Sequence, residues 1–239
     1  MTRVKICGCM RPEDALAAKE AGADFIGLMF APESRRRLSI EQAQAVIAAL
    51  GTPLSADRPE LNRAFEGDAI AWFRHGAEAL DRLLAHKRPL TVGIFEDQTL
   101  DEANAIADEC GLDLIQLSGR EPWADCLRAN RPVIKTIEPS PSDGSDGVID
   151  GLVPGTAVAC LLDVSRGRGV AVDRGQAAAL ATRLPVWLAG GLTPENVSDA
   201  VREVRPWAVD VSSGVETDGA KDAAKIHAFV LAAKGTALT

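Results

Sequence analysis

The chain has 239 residues, 46% of them hydrophobic, which is long for one small domain and ordinary for a single α/β barrel. Its formal net charge of −8 argues against nucleic acid or an anionic membrane as partner, and leaves any attraction for a phosphorylated ligand to local dipoles and arginines. The five cysteines (Cys7, Cys9, Cys110, Cys126 and Cys160) are odd in number and scattered, which disfavours a disulfide framework and suits a reducing compartment, expected to be the cytoplasm.

Arg3–Cys7 reads as a strand that stops at Cys7-Gly8, with no long apolar stretch before it to suggest a signal peptide or membrane span. Cys7-x-Cys9 is not a zinc spacing, so no metal site is expected there. Arg11-Pro12-Glu13-Asp14 opens an alanine-rich helix that ends at Gly22. Residues 24–30 form an apolar strand, and residues 31–37 a loop carrying Arg35, Arg36 and Arg37. Ser39 caps the next helix, with Gln42 three residues on as its capping-box partner, and that helix runs to about Leu50. Residues 51–89 interrupt the rhythm with a connection far longer than a short loop needs. Its first part is turn-rich. Its second half, residues 68–87, places Ile70, Phe73, Ala77, Leu80 and Leu84 at helical spacing, with Arg74, Glu78 and Arg82 on another face.

Beyond it come strand 90–95, helix 100–110 ended by Gly111, strand 112–117, short helix 123–129 and strand 132–137. Residues 140–155 are rich in Gly, Asp, Ser and Pro and predict no more than a helical turn around Val148. Strand 156–162 stops at Asp163, and a glycine-containing loop leads to a helix over about 174–182. Strand 186–189 runs straight into Gly190-Gly191, after which Thr193 suits an N-cap, Pro194 the first helical position and Glu195 the positive end of the helix dipole. Strand 207–211 ends in the polar turn Ser212-Ser213-Gly214, and a last helix covers about 223–233.

Eight short apolar strands, nearly every one followed by a helix, predict parallel βαβ units closing into a (βα)8 TIM barrel. The expected organisation is one barrel domain over 1–239, with a helical insertion at 51–89 between helix 2 and strand 3. An αβ connection lies on the N-terminal face of such a barrel, so the insertion is expected to lay its stripe on the barrel bottom or helices 2 and 3, away from the chemistry. The C-terminal ends of the strands carry Cys7, Gln116 and Asp163, with Arg36 in the loop after strand 2. Each has an ordinary explanation alone: a small core residue, a satisfied amide, a turn former, a solvated loop. Together they face one rim. There a thiolate and a carboxyl across the mouth can serve as general base and general acid, and an arginine can clamp a carboxylate. The turns Gly190-Gly191 and Ser212-Ser213-Gly214, after the last two strands, can aim backbone N–H groups and two hydroxyls at one phosphate.

Several segments carry a resemblance that spans nearly the whole chain in order. They are K-I-C-G at 5–8, R-P-E-D-A at 11–15, F-A-P-x-S-x-R at 30–36, I-Q-L-x-G at 115–119, A-G-G-L-T-P-E-N-V from Ala189 and D-V-S-S-G-V-E from Asp210. In these the sequence resembles phosphoribosylanthranilate isomerases of tryptophan biosynthesis. The resemblance implies a (βα)8 barrel and a cofactor-free Amadori rearrangement of N-(5-phosphoribosyl)anthranilate. It implies that Cys7 is the base, Asp163 the acid and Arg36 the carboxylate ligand, with phosphate held by Gly190, Gly191, Ser212, Ser213 and Gly214. The expected partner is a small phosphorylated substrate, and the chain a monomer or homodimer. The sequence departs from the family pattern at Ser118, where a histidine is usual, at Arg35, where proline is usual, and in the loop Ser165-Arg166-Gly167-Arg168-Gly169. The Arg35 departure leaves open whether Arg35 or Arg37 shares the role of Arg36. Rival readings are another phosphate-binding barrel enzyme acting on a sugar phosphate, or a non-catalytic barrel that binds a phosphorylated metabolite. A synthase of this fold wants a strand-end lysine, and the strands offer only Lys5 and Lys135; an epimerase wants metal-binding histidines, which the strands lack.

Overall fold

The computed structural model describes residues 1–51, 67–140, 142–163 and 173–236. Eight parallel strands close into a barrel in chain order: β1 (Arg3–Cys7), β2 (Phe25–Met29), β3 (Leu90–Phe95), β4 (Leu114–Leu117), β5 (Val133–Ile137), β6 (Ala159–Leu162), β7 (Trp187–Leu188) and β8 (Ala208–Val211). β8 pairs back onto β1 with Lys5 opposite Asp210, which closes the ring. The helices α1 (Pro12–Ala21), α2 (Ile40–Leu50), α3 (Ala69–His86), α4 (Leu100–Cys110), α5 (Trp123–Arg128), α6 (Gly144–Asp150), α7 (Arg174–Ala181), α8 (Val197–Val204) and α9 (Ala223–Gly235) follow or connect them. No helix among the described residues is long and apolar enough to cross a membrane.

Local chemistry explains most boundaries. Ser39 accepts from the Gln42 backbone N–H while the Gln42 side chain accepts from the Ser39 N–H, the reciprocal pair expected at the start of α2. Gly22 and Gly111 end α1 and α4 in the left-handed conformation. Two boundaries differ from expectation. The segment 140–155 yields a seven-residue helix, α6, because Val148 and Ile149 find cover in the core. α8 begins at Val197, not after Thr193. Asn196 takes the cap position, its Oδ1 accepting from the Thr193 N–H and its Nδ2 donating to the Gly191 carbonyl, so Pro194 and Glu195 sit in a turn ahead of the helix. A small hairpin, β9 (Glu216–Thr217) with β10 (Ala220–Lys221), has no counterpart in the sequence reading.

Side chains alternate in and out along each strand. The lower inward layer is apolar: Phe25, Leu90, Val92, Leu114, Ile134, Ala159, Leu161, Trp187 and Ala208 pack together inside the barrel. Leu80, Leu83 and Leu84 of α3 join that same cluster from below, so α3 closes the N-terminal end of the barrel. Trp72 Nε1 donates to the Ala157 carbonyl at 2.6 Å, and Arg3 pairs with Asp81 at 2.6 Å. Ile70 is only partly buried, whereas Trp72, Ala79 and Leu83 complete the stripe. The turn-rich first part of the 51–89 connection falls almost wholly on 52–66, outside the described residues.

Candidate active site

The same alternation that fills the floor with hydrocarbon puts polar groups in the layers above it. Cys7 lies two residues beyond Lys5, Ser118 two beyond Gln116, and Ser212 two beyond Asp210, so each pair shares the inner face of its strand. All of these but the buried Lys5 line a cavity of about 480 Å³ at the C-terminal ends of the strands. All nine residues nominated from the sequence line it: Cys7, Arg36, Gln116, Asp163, Gly190, Gly191, Ser212, Ser213 and Gly214. Thr136, Ser118, Asp210, Glu33 and Arg35 line it too, and no residue of α3 does. The 165–169 loop lies outside the described residues.

Lys5 is fully buried, and its Nζ lies 2.8 Å from Asp210 Oδ2. Burial works to strip its charge, but attraction to Asp210, with help from Cys7, outweighs burial and raises its pKa, so the ammonium persists. Cys7 responds in the opposite sense. Burial raises the thiol pKa above its ordinary value, while the Lys5 charge pulls it back down. Cys9 is pushed up to about 12, chiefly by burial, and its Sγ turns to the Ile6 carbonyl. Cys9 belongs to the core cluster and does not line the cavity. All five cysteines are free thiols.

On the opposite wall, Gln116 Nε2 donates to Ser118 Oγ at 2.9 Å, and Ser118 Oγ lies 3.1 Å from Thr136 Oγ1. Ser118 therefore completes a small polar cluster. Gln116 Oε1 and Asp210 Oδ1 are buried acceptors with no hydrogen-bond partner among the described residues. Asp163 follows β6, its N–H bonded to the Ile137 carbonyl at 3.2 Å.

The arginine run resolves by burial. Arg36 is buried and lines the cavity, its stem lying over Gly8, where a β-carbon would come within 2.5 Å of its Cδ. Arg35 also reaches the cavity but is mostly exposed, and Arg37 is exposed and does not line it. The two late turns lock together. Gly190 and Gly191 both take positive φ, and at Gly214 a β-carbon would lie 1.8 Å from the Leu192 carbonyl oxygen. Lys221 Nζ donates to the Ser212 carbonyl at 2.9 Å and steadies the second turn. Among the described residues, no group of three or more His, Cys, Asp or Glu side chains is placed to hold a metal ion.

Reading forward from sequence misses Asp210, Thr136 and Glu216. The two-residue spacing from Asp210 to Ser212 is a signal that finds the first. The others depend on contacts between distant segments.

Comparison with known proteins places this geometry among relatives. The family model described as N-(5'-phosphoribosyl)anthranilate (PRA) isomerase matches residues 54–232. An N-(5'-phosphoribosyl)anthranilate isomerase of Roseiflexus sp. (strain RS-1) is 41% identical over 244 residues, covering 99% of this chain and 100% of the relative. The Dehalococcoides mccartyi protein of the same name is 37% identical over 240 residues, covering 96% of this chain and 94% of its own. A solved phosphoribosyl anthranilate isomerase in complex with reduced 1-(o-carboxyphenylamino)-1-deoxyribulose 5-phosphate superposes with a TM-score of 0.73 at 30% identity, covering 98% of this chain and 100% of that one.

Proposed function

Because the chain belongs to the N-(5'-phosphoribosyl)anthranilate isomerase family, aldose–ketose isomerases of tryptophan biosynthesis, we propose that Cys7 is its general base and Asp163 its general acid. The reaction converts N-(5-phosphoribosyl)anthranilate to 1-(o-carboxyphenylamino)-1-deoxyribulose 5-phosphate. The observation that carries the division of labour is convergence. Residues from six separate stretches of chain, chosen for their chemistry, line one cavity at the catalytic end of a barrel.

Asp163 donates a proton to the ribose ring oxygen. The C1–oxygen bond breaks, and the anilino nitrogen supplies the electron pair that makes an iminium at C1. The Cys7 thiolate then takes the C2 proton, and the electrons of that bond form the C1–C2 double bond while the iminium is neutralised. The resulting enolamine becomes the ketone when C1 gains a proton and the C2 hydroxyl loses one. Electrons only move within the substrate, so the step calls on no redox cofactor. Lys5 sits beside Cys7 to stabilise the thiolate form.

The substrate's two charged ends have separate seats. Arg36 takes the anthranilate carboxylate, with Arg35 at its outer side. The N–H groups and hydroxyls of Gly190-Gly191 and Ser212-Ser213-Gly214 take the phosphate. The unpaired acceptors Gln116 Oε1 and Asp210 Oδ1 accept from sugar hydroxyls or the anilino N–H. Five free cysteines, four of them strongly shielded by burial, fit a reducing compartment such as the cytoplasm.

A crystal structure with the reduced product analogue tests this placement. We expect the phosphate between the two late turns, the carboxylate on Arg36, and the C1–C2 bond between Cys7 and Asp163. A phosphate bound elsewhere, with that cradle filled by side chains, would reject the arrangement.

A further inference from the structure

The last residue of the D-V-S-S-G-V-E segment has no role so far. We propose that Glu216 is a positioning residue that fixes Arg36 as the carboxylate clamp and ties that clamp to the phosphate turn. The inference rests on the assignment of Arg36 above.

Four hydrogen bonds converge on this one carboxylate. Arg36 meets it as a fork, Nε to Oε1 at 2.7 Å and Nη2 to Oε2 at 3.1 Å. Arg35 Nη2 reaches Oε2 at 2.6 Å, and Lys221 Nζ reaches Oε1 at 2.9 Å. The Glu216 side chain is only 5% exposed, so solvent does little to weaken these contacts. Burial alone would raise its pKa, but the bonds from Arg36 and Lys221 outweigh burial and hold it at about 2. The group is therefore a permanent anion at working pH. Three cations surround this one anion, a local excess of positive charge at Glu216 on a chain whose net charge is −8.

The geometry also explains why an arginine in a loop can act as a rigid clamp. A long side chain loses rotamer freedom when it binds, and ordering it beforehand removes that cost. Glu216 holds the Nε/Nη2 edge, and Arg36 Nη1 has no hydrogen-bond partner among the described residues. The same carboxylate reaches the second seat through Lys221, which bonds the Ser212 carbonyl. Glu216 opens the β9–β10 hairpin and Lys221 ends it, so the hairpin is the strap that sets the spacing of the two anion sites.

An opposite role is conceivable on the same contacts: Glu216 as a competitor that keeps substrate carboxylate off Arg36. Binding distinguishes them. The probes are the reduced carboxyphenylamino-deoxyribulose phosphate and its phenylamino counterpart, which lacks the carboxylate. Arg36→Met should weaken the first by about tenfold or more and leave the second nearly unchanged. Glu216→Gln should reproduce that selective loss, raise KM in turnover and leave kcat close to wild type. Should the Gln variant not fold, Glu216→Asp, which retains the charge but withdraws it by one methylene, should show the selective loss in milder form. Equal loss for both probes, no loss, or tighter binding of the carboxylated probe in the Glu216 variant would overturn the proposal. If Arg36→Met shows no selectivity, the Arg36 assignment itself fails and the proposal with it.

Discussion

At Cys7, burial and a neighbouring cation work against each other, and the balance has a kinetic signature. Burial raises the thiol pKa, so at neutral pH most of the free protein holds the protonated, inactive form of its base. Alkylation, like base action, needs the thiolate, so the rate at which iodoacetamide modifies Cys7 should climb with pH through neutrality and still be rising near the ordinary thiol range of about 8.5. Cys9→Ala should trace the same curve, because Cys9 is held at about 12 and is turned away from the cavity. A profile already flat below about pH 7 would show that Lys5 outweighs burial and that Cys7 is a thiolate in the free protein. The pair Lys5 and Asp210 should behave as a structural unit. Lys5→Met strands a buried carboxylate and should cost about 3–5 kcal/mol of stability, read as a shift in the urea midpoint. At this scale the sequence is informative where spacing is local. Cys7, Gln116 and Asp163 stand at strand ends that apolar runs and glycines mark out. Glu216 is different, since its partner Arg36 is 180 residues away and no periodicity links them. Nor does composition say which arginine of three turns inward. That is decided by Gly8, which leaves room for the Arg36 stem.

Among the elements, α3 and the two late turns show opposite uses of packing. The helical spacing over 68–87 forecasts both the helix and its buried face, and the structure lays that face against the barrel floor. We propose that α3 serves stability alone. Leu80→Ala removes a fully buried side chain between α3 and Trp187's layer, and should cost about 2–5 kcal/mol, lowering the melting temperature by roughly 4–20 °C. KM of the folded protein should stay within about twofold, since nothing in α3 lines the cavity. A large rise in KM with unchanged stability would mean the element reaches the substrate after all. The late turns are tuned for function. Gly214→Ala forces its β-carbon against the Leu192 carbonyl and must part the two turns. We expect weaker competitive inhibition by inorganic phosphate, by about tenfold, with the barrel still folded by circular dichroism. Unchanged phosphate inhibition would separate these turns from the phosphate. Capping logic was less dependable here. Thr193-Pro194-Glu195 satisfies every local preference for a helix start, yet Asn196 wins the cap because its side chain bridges Thr193 and Gly191. Likewise α6 forms from a glycine- and aspartate-rich stretch because tertiary burial of Val148 and Ile149 overrides weak propensity.

Over the whole molecule, the barrel separates stability from chemistry along its axis. The lower half is hydrocarbon, closed by α3. The upper half carries a buried lysine, a thiol, two unpaired acceptors and a cluster of three cations around Glu216. A net charge of −8 repels a substrate with a phosphate at one end and a carboxylate at the other, and the cations around Glu216 restore attraction within a Debye length. The eight-strand architecture was legible from alternation of apolar runs and helices, because parallel strands buried on both faces leave continuous hydrophobic segments. The central claim is that Cys7 and Asp163 divide proton transfer across this mouth. The most direct test is the turnover number of Cys7→Ala and Asp163→Asn measured beside wild type, following consumption of N-(5-phosphoribosyl)anthranilate by fluorescence. Each variant should lose at least about 10²–10⁴-fold in kcat while still binding the reduced product analogue. Near-full turnover in either variant would contradict the assignment of that residue.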